Sequence, residues 1–155
     1  MEPNNLKNNL TVMNHVSTIQ NLLQQDKPLS LDDLFAQLAT AIGKKSFLVF
    51  KHNKYFTIAV EKIAYFYIKY ETSIMVCMDQ REYPVDYSLD HIQSLLTTQQ
   101  FFRVNRQYLV NFNAVKEVEH YFARKLLVNL TVATIDKLLV PKEKVRLFLD
   151  WLEHR

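Results

Sequence analysis

Between Ser46 and Val140 the apolar residues come in short runs separated by a few polar residues, a spacing that leaves room for little except β structure. Ser46–Lys51 and Tyr55–Val60 flank His52-Asn53-Lys54, a hairpin pattern in which Asn53 supplies the positive φ that glycine otherwise would. Ile63–Tyr70 and Ser73–Asp79 make a second hairpin around Glu71-Thr72, and Asp79-Gln80 is a short turn into Arg81–Val85. Tyr83 to Tyr87, around Pro84, reads as an edge or a strand end, because proline cannot donate to a ladder. Ser88 caps a short helix with Leu89, Ile92, Leu95 and Leu96 inward. Val115–Tyr121 and Lys125–Val132 pair around Ala123-Arg124, with Leu126, Val128, Leu130 and Val132 alternating, and Ile135–Val140 is the last strand. Helices fall only at the ends and once between, so the expected class is mainly β, built of small, mostly antiparallel sheets. At 155 residues, 48% of them apolar, the chain is long enough for one domain with a real core and some extra structure.

The stretch Phe101-Phe102-Arg103-Val104-Asn105-Arg106-Gln107-Tyr108-Leu109-Val110-Asn111 interrupts this pattern with polar chemistry. If 101–105 is extended, Phe102 and Val104 point one way and Phe101, Arg103 and Asn105 the other. Arginine forks onto guanine and asparagine pairs with adenine through two hydrogen bonds, so Arg103, Asn105 and Arg106 have the geometry of base readers. The plainer reading of the same residues is an edge strand with a solvated polar face.

This stretch, followed by Val115-Lys116-Glu117-Val118, resembles the signature segment of the LytTR family of bacterial DNA-binding domains. The family pattern runs Phe-X-Arg-Val-His-Arg-Ser-Tyr-Leu-Val-Asn; here Asn105 stands for the histidine and Gln107 for the serine. The resemblance extends from about Phe47 to the C-terminus and includes Ile63-Ala64-Tyr65-Phe66, the short helix before the signature and the closing basic helix. It implies an elongated fold of small sheets that meets double-stranded DNA with loops and strand ends, and a role in bacterial transcription regulation, as the output part of a two-component response regulator. The segments it points to are the 70–73 tip, with Thr72 and with Ser73 best aligned to a contact position; the signature loop, with Arg103, Asn105, Arg106 and Gln107; and Lys142 with Lys144. Where the family carries Val-Ser-Arg, this chain has Val140-Pro141-Lys142, so Lys142 keeps the charge and loses the fork. Lys142 and Lys144 are therefore expected on phosphates and Arg106 and Asn105 on bases. The resemblance also implies paired direct repeats as the DNA target and an upstream receiver domain or histidine kinase.

Residues 1–44 read as a helical linker or dimerisation segment ahead of a DNA-binding domain at 45–155. Leu6, Leu10, Met13, Val16, Ile19 and Leu23 recur every three or four residues, one apolar stripe to be covered either by the β domain or, the favoured reading, by pairing with a second copy. After Pro28, Ser30 caps a second helix with Asp32 and Asp33 in its first turn and Leu31, Leu34, Phe35, Leu38 and Ile42 on its apolar face, expected to pack on the β domain. Gly43, the one glycine in the chain, ends it. The strand-and-acidic-loop pattern of a receiver domain does not fit in these 44 residues, so the resemblance is to the output half of a response regulator with its linker or to a stand-alone regulator. At the other end, Pro141 opens a helix whose Val145, Phe148, Leu149 and Leu152 face the sheets.

Charge and composition bound the chemistry. Residues 1–44 hold three lysines and four acids, and residues 45–155 sixteen basic and twelve acidic side chains, so the positive excess lies in the second part. One glycine leaves no phosphate-binding loop or dinucleotide fingerprint. The five histidines, at 15, 52, 91, 120 and 154, have no metal-ligand spacing, and no nucleophile elbow is present. The chain is thus expected to be no enzyme and to carry no cofactor or metal. One cysteine, Cys77, within an apolar run, fits packing in a reducing compartment. Without a membrane-spanning run or a leader pattern, a cytoplasmic protein without membrane contact is expected. The competing class is a β-rich module that binds a protein or a small ligand through an aromatic surface, which exposed Tyr65, Tyr67 and Tyr70 would favour.

Overall fold

A computed structural model of the chain describes residue 20 and residues 30–154. The stripe Leu6 to Leu23 lies outside the described residues, Gln20 excepted, which is helical. Helix α1 (Leu31–Ile42) belongs to one compact unit and Lys44–His154 form another. The start of α1 is a reciprocal cap: Asp33 N–H donates to Ser30 Oγ at 3.1 Å, and Ser30 N–H donates to Asp33 Oδ2 at 3.3 Å. Gly43 takes φ 78°, the left-handed turn that stops the helix. Of its expected apolar face, Leu34 and Leu38 are half-buried, while Leu31, Phe35 and Ile42 are exposed.

The second unit contains ten strands in three antiparallel sheets. Strands β1 (Ser46–Lys51) and β2 (Lys54–Ala59) form a two-stranded sheet. A five-stranded sheet has the order β5-β4-β3-β7-β6, from β3 (Ile63–Lys69), β4 (Thr72–Cys77), β5 (Glu82–Val85), β6 (Phe101–Arg103) and β7 (Tyr108–Asn111). The third, of order β10-β9-β8, consists of β8 (Val115–Tyr121), β9 (Lys125–Leu130) and β10 (Leu138–Val140). Helix α2 (Leu89–Leu95) precedes β6, and α3 (Val145–Glu153) closes the chain. Pro84 sits on the edge strand β5, where a missing donor is harmless.

Strand alternation gives the five-stranded sheet two apolar faces, and each has its own core. Phe47 and Val49 of β1 and Leu89 and Ile92 of α2 cover Phe66, Met75 and Tyr83 on one face. On the other, Leu126, Val128 and Leu138 of the three-stranded sheet and Phe148 of α3 cover Tyr65, Tyr67 and Val110. Buried side chains of this size each stabilise the fold by about 1.5–3 kcal/mol. Phe101 belongs to the first core and Phe102 and Val104 to the second, as the alternation of the signature stretch requires. Cys77 is buried in the first core, and burial pushes its thiol pKa up.

Several boundaries differ from those read in the sequence. The first hairpin turns on His52–Asn53, with Lys54 in the strand rather than the turn, and the second on Tyr70–Glu71, one residue before the expected Glu71-Thr72. All four residues have positive φ, the two-residue turn whose twist matches that of paired strands. Strand β9 ends at Leu130 and β10 starts at Leu138, so 131–137 is a loop rather than strand; the Tyr65 hydroxyl donates to the Ala133 carbonyl at 2.8 Å and holds it. In α3 the inward position expected for Leu149 is taken by Trp151. Phe148 is fully buried with Val145, Trp151 and Leu152 packed around it, whereas Leu149 is 44% exposed. At 100° per residue Trp151 lies about 60° from Phe148 and Leu149 about 100°, just outside the stripe. The Trp151 indole N–H donates to the Thr98 and Gln99 carbonyls at 2.9 and 3.1 Å, and its ring meets Phe102 at 5.2 Å, which fastens α3 to the chain entering β6.

Candidate nucleic-acid interface

The signature stretch is an edge hairpin with a four-residue loop. Strand β6 pairs with β7 through Phe101↔Asn111, Phe102↔Val110 and Arg103↔Leu109, leaving 104–107 as the turn. Two side chains set the shape of that turn. The Asn105 carbonyl oxygen accepts from Gln107 N–H at 2.8 Å and Tyr108 N–H at 3.0 Å, and its amide donates to the Leu139 carbonyl at 3.1 Å. Arg103 folds back over the same turn: Nε donates to the Asn105 carbonyl at 2.8 Å, Nη2 to the Arg106 carbonyl at 2.7 Å, and Nη1 to Asp90 Oδ1 at 2.8 Å. Asn111, fully buried at the far end of β7, anchors the hairpin through its amide on the Ile63 carbonyl at 2.7 Å.

Arg103 and Asn105 are therefore engaged inside the protein, and their hydrogen-bonding capacity is largely spent on the loop backbone. Arg106 and Gln107 are the residues that project, both exposed. Lys144 approaches from the closing segment, its ammonium donating to the Arg103 carbonyl at 3.1 Å, while Lys142 is exposed beside it. Asp90, Gln93, Arg103, Asn105, Arg106 and Lys144 line a shallow pocket of about 270 Å³. Three cations and one carboxylate make this a predominantly positive hollow suited to an anion.

The 70–73 segment reaches the same end of the molecule. Strand β3 pairs with β7 through Tyr67↔Tyr108, and Ile68 N–H donates to the Gln107 carbonyl at 3.1 Å, so the β3–β4 tip stands next to the signature loop. Its exposed residues are Lys69, Tyr70, Glu71 and Thr72, with Tyr70 91% exposed. Ser73 is placed differently from expectation: it is only 5% exposed, between Ile68 and Val85 on the face of the first core. Lys69 is the residue at this tip that sequence reasoning passed over. Its position as the polar residue that ends a continuous apolar run, next to the turn, was the available signal.

Beneath the tip lies a tyrosine cluster. Tyr67 stacks on Tyr108 at 5.8 Å, and Tyr65 contacts both. Tyr65 and Tyr67 are 1% and 3% exposed, so of the three tyrosines that would signal an aromatic binding surface only Tyr70 is available. Burial, reinforced by Glu82 nearby, pushes the Tyr67 pKa up to about 12, and burial raises those of Tyr65 and Tyr108 as well. All three are neutral packing groups at physiological pH, supporting the loops above them.

No curated protein matches the sequence. Among solved structures, the chain is similar to the LytTr DNA-binding domain of a methyl-accepting/DNA response regulator from Bacillus cereus, with a TM-score of 0.61 and 19% identity over 71% of this chain and 98% of that one. At that identity the likeness speaks for the fold. The LytTr DNA-binding domain model matches residues 53–153, which include the five-stranded and three-stranded sheets, the signature hairpin and α3. With the signature loop, the β3–β4 tip and the Lys142–Lys144 segment brought together on that fold, this chain belongs to the LytTR family of DNA-binding domains.

Proposed function

We propose that the end of the molecule bearing Lys69–Thr72, Arg106, Gln107 and Lys142 docks on double-stranded DNA, reads its sequence, and regulates transcription as the output part of a response regulator. The observation that carries this reading is the bracing of the signature loop. Arg103 and Asn105 tie its backbone to α2 and β10, so that Arg106 and Gln107 project from a fixed base beside Lys142. A base-reading side chain needs such a base, since ordering a floppy loop on binding costs affinity. Arg106 has the fork for guanine and Gln107 the amide for adenine. Lys142 and Lys69 neutralise phosphates, and Lys144 lends charge to the hollow while holding the Arg103 carbonyl. Thr72 flanks the groove as a neutral hydroxyl; buried Ser73 supports the tip. Two protomers on paired direct repeats, joined through the N-terminal helical segment and switched by a receiver domain under a histidine kinase, complete the reading.

The test is selection of bound duplexes from a random pool at two salt concentrations. A repeated motif should emerge, and Arg106→Ala should weaken binding to it by about 1–3 kcal/mol and relax the preference at one base. An equal loss on every sequence would remove Arg106 as a base reader. The absence of any motif would favour the interaction-module reading.

A further inference from the structure

The β8–β9 hairpin ends in an exposed phenylalanine. Phe122 is 86% exposed, while Ala123 and Arg124, the turn residues after it, have φ of 57° and 59°. Such left-handed turns favour glycine or asparagine, and this one has neither. The Phe122 ring is left almost wholly to solvent at the tip, beside the cationic Arg124 and Lys125.

Strand directions show where this tip points. Strand β10 pairs antiparallel with β9 through Val140↔Leu126, so Lys125 is level with Pro141 and residues 122–124 lie beyond it. Leu139 of β10 receives the Asn105 amide, and Lys144 touches the Arg103 carbonyl. The Phe122 tip thus stands at the same end as the signature loop, two strand spacings or about 10 Å to the side of β10. That offset is of the order of one DNA groove width. Charge follows the same direction. Arg124 and Lys125 are at the tip, whereas Glu117 and Glu119 lie further down β8, held by the Asn129 amide at 3.2 and 3.3 Å.

We propose that the Phe122–Lys125 tip is a further DNA-contacting element: Phe122 lays its ring into the minor groove beside the bases read by Arg106, and Arg124 and Lys125 neutralise the phosphates of its walls. The proposal rests on the DNA-binding reading above and extends it to a segment outside the signature. Apolar side chains wedge at minor-groove steps elsewhere, most readily at flexible pyrimidine–purine steps, and basic neighbours supply the counter-charge.

The experiment uses the full chain and the duplex selected by the unaltered protein. Phe122→Ala should weaken binding roughly tenfold and shorten the hydroxyl-radical footprint on one side, with the bases chosen at the Arg106 position unchanged. Phe122→Trp should retain the full footprint. Arg124→Ala should flatten the dependence of log K on log salt by about one unit. If the protein selects a motif and Phe122→Ala keeps both affinity and footprint, the tip plays no part and the inference falls alone. If the unaltered protein selects no motif, the DNA-binding reading fails and takes this inference with it. Binding to phosphatidylglycerol vesicles that is lost with Phe122→Ala, beside an unchanged DNA footprint, would assign the tip to a lipid surface instead. Since Phe122 is exposed, each variant should unfold at the midpoint of the parent.

Discussion

Asn105 is the residue whose reading changes most between sequence and fold. Its side chain has the donor and acceptor pair that reads adenine, and that chemistry is present in the structure but turned inward. The oxygen accepts two backbone N–H groups, and the amide meets the Leu139 carbonyl of another sheet. Each such bond contributes about 1 kcal/mol, and an unpaired buried donor costs about 1–3. Asn105→Ala is accordingly expected to lower stability to urea by about 2–3 kcal/mol. Asn105→Asp, which keeps the acceptor and loses the donor, should fall between. A base reader with no structural duty would behave in the opposite way, losing DNA affinity at unchanged stability. Unfolding curves on the free protein therefore separate the two roles without any DNA present. Residue chemistry alone could not show the inward bonds, because the same amide suits both roles and the Leu139 carbonyl it meets belongs to a strand far along the chain.

At the scale of elements, alternation and caps were legible, as was the turn at Ala123–Arg124, while the turn of the second hairpin was read a residue late. The faces of β6 follow from Phe101-Phe102-Arg103-Val104, and the Ser88 cap on α2 follows from its place before an apolar helix; His91 N–H donates to Ser88 Oγ at 3.1 Å. The hairpin turns carry no glycine to mark them. His52–Asn53, Tyr70–Glu71 and Ala123–Arg124 all adopt positive φ, and among them only Asn53 has a side chain suited to it, so strand pairing more than local preference sets their position. The candidate site depended on the same thing. The convergence of three chain segments was expected from resemblance, but which side chains point outward depended on register: Ser73 faces in because it pairs with Ile68 and Val85, and Lys69 is free because it precedes the turn. The turn geometry has a measurable consequence. Left-handed φ costs a non-glycine residue roughly 1 kcal/mol, partly offset by the greater freedom of glycine in the unfolded chain. Glu71→Gly, at φ 64°, is expected to raise stability by about 0.5–1 kcal/mol, read from the urea midpoint at constant slope. A loss of stability would mean that the Glu71 side chain holds the tip through contacts of its own.

For the molecule as a whole, the charge excess is small but its placement concentrates it. Residues 45–155 hold sixteen basic against twelve acidic side chains, and Lys69, Arg106, Arg124 and Lys142 stand exposed at the end carrying the loops. A field of this kind acts through phosphate neutralisation and counterion release, so log K for duplex DNA should fall linearly with log salt, with a slope near 0.9 for each phosphate engaged. Lys142 and Lys144 should part company in this measurement. Lys142 is exposed, so Lys142→Ala should make the slope shallower by about 0.9, weaken all sequences alike and leave stability unchanged. Lys144 also donates to the Arg103 carbonyl, and Lys144→Ala loosens the loop that presents Arg106. Its loss should therefore fall more heavily on the selected motif than on random duplex, beyond any change in slope. Parallel titrations of both variants on both duplexes, at three salt concentrations, separate the two effects. Identical behaviour would place both lysines on phosphates alone and leave the bracing of the loop to Arg103 and Asn105.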